Sequence, residues 1–93
     1  MKKVVALSSF ERSVKRLTPN EMKRLGRALE SLNSFLLGQT ASHGFAFKKI
    51  GHAKDEFRVD LKHRVIMKVH ENVYYLALVG SHDDIKRYLK KEL

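Results

Sequence analysis

Apolar positions along this chain change period twice. Lys2 to Leu7 alternates weakly, as a strand does. Phe10, Val14 and Leu17 then recur at i, i+4 and i+7, which predicts a short helix with Ser8 or Ser9 as its cap. Thr18-Pro19-Asn20-Glu21 ends that helix and opens another. A threonine hydroxyl can accept from a backbone N–H that has no intrahelical partner. Proline presets φ at the first helical position, and a glutamate three residues after the cap reaches back to the cap's own N–H. Met22, Leu25, Leu29, Leu32 and Leu36 follow at spacings of 3, 4, 3 and 4, one apolar stripe with Lys23, Arg24, Arg27 and Glu30 off it. Gly38 supplies the stop. Two helices joined by a tight turn form a helical hairpin.

After a polar loop from Gln39 to Gly44 the period becomes two. Phe45, Phe47 and Ile50 mark one strand, and Gly51 to Asp55 reads as a turn. Phe57, Val59 and Leu61 alternate with Arg58, Asp60 and Lys62, giving a strand with one buried and one polar face. Arg64 to Val69 and Val73 to Val79 are more uniformly apolar and suit central strands, with His70-Glu71-Asn72 as the hairpin loop between them. Ser81-His82-Asp83-Asp84 repeats the capping logic and opens a last helix through Ile85, Tyr88 and Leu89. The expected fold is α+β, a single domain over residues 1–93. It has an antiparallel sheet meander, the N-terminal helical hairpin packed on one face, and a short C-terminal helix.

Composition changes this picture in three places. A chain of 93 residues with 43% apolar content supports one thin core. There is no cysteine, so no disulfide or thiolate–metal framework is possible. No segment approaches the ~20 apolar residues of a membrane helix, and the run VVAL is too short for the apolar part of a signal peptide. A cytoplasmic protein with no membrane partner is therefore expected. Charge is the strongest bulk signal: 19 Lys and Arg against 10 Asp and Glu give a formal +9. Such a surface attracts polyanions, nucleic acid foremost, with an acidic protein segment as the other class.

The polar side of the sheet should collect cations. Arg58, Lys62, Arg64, Lys48 and Lys49 lie on its strands, while His82 and Tyr88 enter from the end of the last strand and the helix after it. Several chemistries are excluded by inventory. The five histidines, His43, His52, His63, His70 and His82, show no metal-ligand spacing. Asp60 and Lys62 form an isolated D-x-K without a second strand carboxylate at a metal-nuclease spacing. Acyl transfer has no nucleophile. Cleavage of RNA without metal or cofactor fits better. The ribose 2′-OH is an internal nucleophile, so the protein supplies only positive charge for the phosphorane-like transition state and a proton relay. Arginine's planar fork suits phosphate, histidine exchanges protons near neutral pH, and tyrosine stacks on or orients a base.

Three short stretches sharpen this reading: Phe57-Arg58-Val59, His63-Arg64-Val65-Ile66, and Val79-Gly80-Ser81-His82 followed by Tyr88. In this order, after two helices, the chain resembles the RelE/ParE toxin superfamily over nearly its whole length. The resemblance implies a toxin of a type II toxin–antitoxin pair, with a cognate antitoxin protein as partner. RelE-like members are endoribonucleases (mRNA interferases) that cut mRNA at the ribosome without metal and so inhibit translation. ParE-like members share the fold, act on DNA gyrase and lack the cleavage residues. Arg58, Arg64, His82 and Tyr88 fall on the RelE functional positions, with His82 where some members carry arginine and His63 in place of the usual aromatic. Lys48, Lys49, Lys62, Lys86, Arg87 and Lys90 are the expected RNA-backbone contacts. A third possibility is a basic nucleic-acid-binding module without catalysis.

Overall fold

The structure, a computed structural model, describes residues 2–39, 47–51 and 53–91. Phe45, His43 and His52, named above, lie outside them. The elements run β1 (Lys3–Ala6), α1 (Ser8–Val14), α2 (Pro19–Leu36), β2 (Phe47–Gly51), β3 (Lys54–Arg58), β4 (Arg64–His70), β5 (Val73–Gly80) and α3 (His82–Lys91). The strands make one sheet in the order β1-β5-β4-β3-β2. β2 to β5 form the expected antiparallel meander. The sheet is nonetheless mixed, because β1 joins parallel to β5, Lys3 opposite Val73. The helical hairpin follows β1 at once, so the chain crosses the sheet before the meander begins and β1 meets the last strand, not the next one.

The capping box at Thr18 forms as read: Thr18 Oγ1 accepts from the Glu21 N–H at 3.2 Å, and Glu21 Oε1 accepts from the Thr18 N–H at 2.8 Å. At the other end of α2, Gly38 takes φ +78°, its N–H bonds Phe35, and the Gln39 N–H reaches back to Ser34. That is a Schellman stop, and it needs the left-handed residue that glycine supplies without steric cost. The stripe of α2 is shifted from the reading above. Leu25, Ala28 and Leu32 are buried, whereas Met22 is 43% exposed. The small Ala28 lets the helix sit close to the sheet, and Met22 rides on the open first turn.

The core against α1 and α2 unites Phe10, Leu25 and Leu32 with Phe57, Val65, Met67, Leu76 and Val79. Side chains as fully buried as Phe57 and Leu32 each contribute about 2–3 kcal/mol by removal from water. Contrary to expectation the opposite sheet face is not wholly polar. Ile66 and Ala77 pack there under Ile85, with Tyr88 and Leu89 alongside, so α3 covers part of it.

Two local expectations fail for one physical reason, competition by side-chain oxygens, and a third, a turn, is shorter than read. Ser8 and Ser9 do not cap α1, whose N-cap is Leu7. Ser9 Oγ instead donates to the Ala77 carbonyl at 2.6 Å, and Ser13 Oγ accepts from the Val79 N–H at 3.0 Å. These hydroxyls take over the edge of β5 where β1 ends at Ala6. The strand read as Phe57 to Lys62 stops at Arg58, and Leu61 is 92% exposed. Asp60 Oδ1 accepts from the N–H groups of Lys62 and His63 at 2.8 and 2.7 Å, folding the chain into a turn. The turn read from Gly51 to Asp55 is shorter, since Lys54 and Asp55 already belong to β3.

Candidate nucleic-acid interface and active site

The face of the sheet that α3 partly covers carries the charge. In β3 the side chains of Lys54, Glu56 and Arg58 alternate with those of Asp55 and Phe57 on the hairpin side. In β4, Arg64, Ile66 and Lys68 share the α3 face with them. Register sets Arg58 directly opposite Arg64, Lys54 directly opposite Lys68, and Glu56 opposite Ile66 between them. Lys48 pairs with Glu56 from β2 and extends the patch. Like charges facing each other across a strand pair destabilise a sheet, and two such pairs lie on this one face. Glu56 is the carboxylate on this face. Its Oε1 lies 3.8 Å from Arg64 Nη1, beyond hydrogen-bond reach. Arg64, with 31% of its side chain exposed, keeps its donor fork available to a ligand.

The same row continues into β5, where Gly80 stands opposite Arg64. Gly80 ends β5, and its φ is not positive. A Cβ there would lie 2.7 Å from Asp84 Cβ and 2.8 Å from Asp84 Oδ2. Glycine is needed because Asp84 closes over it to cap α3. Asp84 Oδ2 accepts from the Ser81 N–H and hydroxyl, both at 2.9 Å, and Ser81 Oγ accepts from the Asp84 N–H at 3.2 Å. The Ser81 backbone N–H, then its hydroxyl, hold the Asp84 carboxyl below its usual range, with Arg87 adding to them. Gly80→Ala should therefore force Asp84 off its cap and destabilise the fold by about 1–3 kcal/mol. A thermal melt should show a midpoint lowered by about 4–8 °C per kcal/mol. The loss should be much smaller when Asp84→Gly is already present, because glycine at 84 removes the Cβ and the carboxyl that the new methyl would meet.

His82 begins α3 two residues after Gly80, exposed and without a hydrogen bond among the described residues. Helical rotation of about 100° per residue puts His82 and Lys86 on the flank of α3 opposite Asp84, Arg87 and Lys91. The structure thus gathers Arg58, Arg64 and the His82 junction at one end of the sheet. It does not bring Tyr88 to them. Tyr88 lies six residues along α3, about 9 Å further by helical rise, half-buried beside Ile85 and Leu89, with Lys68 Nζ 5.8 Å from its ring centroid.

The expected backbone contacts divide. Lys48 shares the cationic face, but Lys49 sits opposite Asp55 and so projects on the hairpin side. Burial raises the Asp55 carboxyl above its usual range while Lys49 pulls it down. Lys62 is in the Asp60 turn, off the sheet. Lys86 and Lys90 are exposed on α3, and Arg87 is paired with Asp84. Lys54 and Lys68 were missed. Their signal was in the sequence, two lysines at even spacing from Arg58 and Arg64, but the misplaced turn hid the pairing.

No family model matches the sequence, and no curated protein matches it. Solved structures do. A chain of the RelB–RelE antitoxin–toxin complex from Methanococcus jannaschii superposes with a TM-score of 0.69 at 16% identity, covering 90% of this chain and 96% of that one. A chain of the DinJ–YafQ complex from E. coli gives 0.65 at 16% identity, over 91% and 98%. A metal-bound toxin from Helicobacter pylori gives 0.64 at 12%, over 91% and 99%. Element order, the mixed sheet and nearly complete mutual coverage establish that this chain has the RelE-like fold.

Proposed function

We propose that the protein is the toxin of a type II toxin–antitoxin pair and cleaves mRNA, at the ribosome, without a metal ion. The observation that carries this reading is the cross-strand pair Arg58–Arg64 ending at Gly80, with His82 two residues beyond. Two guanidinium groups side by side match a phosphodiester whose negative charge grows in the transition state. His82 accepts the proton of the ribose 2′-OH as that oxygen attacks phosphorus. The bond to the 5′-oxygen breaks, the leaving oxygen takes a proton from solvent water while His82 returns its proton to solvent, and the products are a 2′,3′-cyclic phosphate and a 5′-hydroxyl end. Arg64, held against Glu56 only at 3.8 Å, is free to move onto the phosphate. Since the M. jannaschii and E. coli neighbours are antitoxin–toxin complexes, a cognate antitoxin is the expected partner here. Its opposite charge would neutralise this face.

Inducible expression followed by primer extension on a reporter mRNA tests the proposal. Codon-phased cuts that persist when ribosome–toxin mixtures are treated with a chelator selective for transition metals support it. Growth arrest with a DNA-damage response and intact mRNA would move the protein to the gyrase-directed class.

A further inference from the structure

A second basic surface lies on the other flank of α3. A cleft of about 560 Å³ opens between α1 and α3, floored by the end of β5 through Gly80. Arg12 of α1 and Arg16 of the turn that follows it line one wall, and Arg87 and Lys91, four apart on α3, line the other. The acids at its rim are already engaged. Asp84 caps α3 and pairs with Arg87, and Glu21 closes the Thr18 cap, whose backbone N–H is the main reason that carboxyl sits low. Arg12, Arg16 and Lys91 have no ion pair among the described residues.

We infer that this cleft is a second binding site for the phosphate backbone of a nucleic-acid strand, separate from the Arg58–Arg64 row. The inference rests on the reading above only for the class of ligand. Three cations without an ion pair among the described residues, set around one concave floor, make its potential positive, which favours the repeated charges of a phosphate backbone over a single carboxylate. Because Gly80 belongs both to the cleft floor and to the Arg64 row, a strand held in the cleft leads directly to the cleavage end of the sheet.

The test is the salt dependence of binding to a fluorescein-labelled 2′-O-methyl oligouridylate. That probe has no 2′-OH nucleophile, so binding is read apart from cleavage and the outcome is independent of whether the parent cuts RNA. Arg12→Ala/Arg16→Ala/Lys91→Ala should weaken binding at least about tenfold and lower the slope of log K against log salt by about 2. Arg12→Lys/Arg16→Lys should keep the slope. A control removing the same charge elsewhere, Lys2→Ala/Lys23→Ala/Arg27→Ala, should change the slope by much less. Equal effects from the two triple variants would overturn the inference, as would unchanged RNA binding with lost binding to polyglutamate, which would assign the cleft to an acidic protein segment.

Discussion

Arg64→Ala should reduce mRNA cleavage by about 100-fold or more while the protein stays folded, and cells expressing it should grow. The magnitude follows from removing one preorganised donor from a developing anion, which in other active sites costs about 10²–10³ in rate. Folding should survive because the Arg64 side chain is partly exposed and its contact with Glu56 is long. Removing it also relieves the repulsion with Arg58 across the strand pair, so a thermal melt should show no loss, or a slight gain. Arg64→Lys keeps the charge and loses the fork, and should recover only part of the rate. His82→Ala should act on a different step. It should lower the rate by about 10²–10⁴ without weakening binding to a non-cleavable RNA, since His82 is exposed and its side chain has no hydrogen bond or ion pair among the described residues. If both single variants arrest translation as the parent does, the row from Arg58 to His82 is not the cleavage site.

The sequence carried the helices and the meander because their signals are local. Thr18 with Glu21, Ser81 with Asp84, and Gly38 each specify an end through hydrogen bonds made within a few residues. What could not be read locally was long-range competition. Nothing near Ser9 or Ser13 shows that their hydroxyls would serve β5, more than sixty positions away. Nothing near Asp60 in an alternating run reveals that its carboxylate would end the strand rather than continue it. That error mattered for the site. It placed Asp60 and Lys62 on the cationic face and left out Lys54 and Lys68. The chain's own signals place Arg64 at a strand start and His82 at a helix start, where the structure has them, whereas the alternation puts Arg58 in mid-strand and the structure ends β3 there. The α1–α3 cleft was not legible, since Arg12 and Lys91, far apart in sequence, line one cleft only in the folded chain.

Asp60→Ala should be the most destabilising of the surface changes, by about 2–3 kcal/mol. Although in a turn, Asp60 is only 16% exposed and joins four groups. Its Oδ1 takes the N–H groups of Lys62 and His63, its Oδ2 takes Arg24 Nε at 2.8 Å, and His63 Nδ1 lies 3.0 Å from Oδ1. The other ring nitrogen of His63 faces Glu21 at 3.4 Å, so the turn between β3 and β4 is clasped to the first turns of α2 at two points. Burial works against ionising Asp60, but Arg24 and the N–H groups of Lys62 and His63 outweigh it and hold the carboxyl well below its usual range. The sign of the pH dependence follows. A carboxylate with a depressed folded-state pKa stabilises fully above its unfolded value, near 3.9, and loses that contribution as pH falls through the folded value. The stability gap between parent and Asp60→Ala should thus be widest at neutral pH and should narrow below about pH 4 in urea titrations, while Asp60→Asn, which keeps an acceptor for the two turn N–H groups, should lose less. Since Arg58 and Arg64 flank this turn, the same substitution should also lower cleavage more than its effect on folding alone predicts. A gap that stays constant from neutral to acid pH would mean that the turn, and not its charge, holds the two arginines in register.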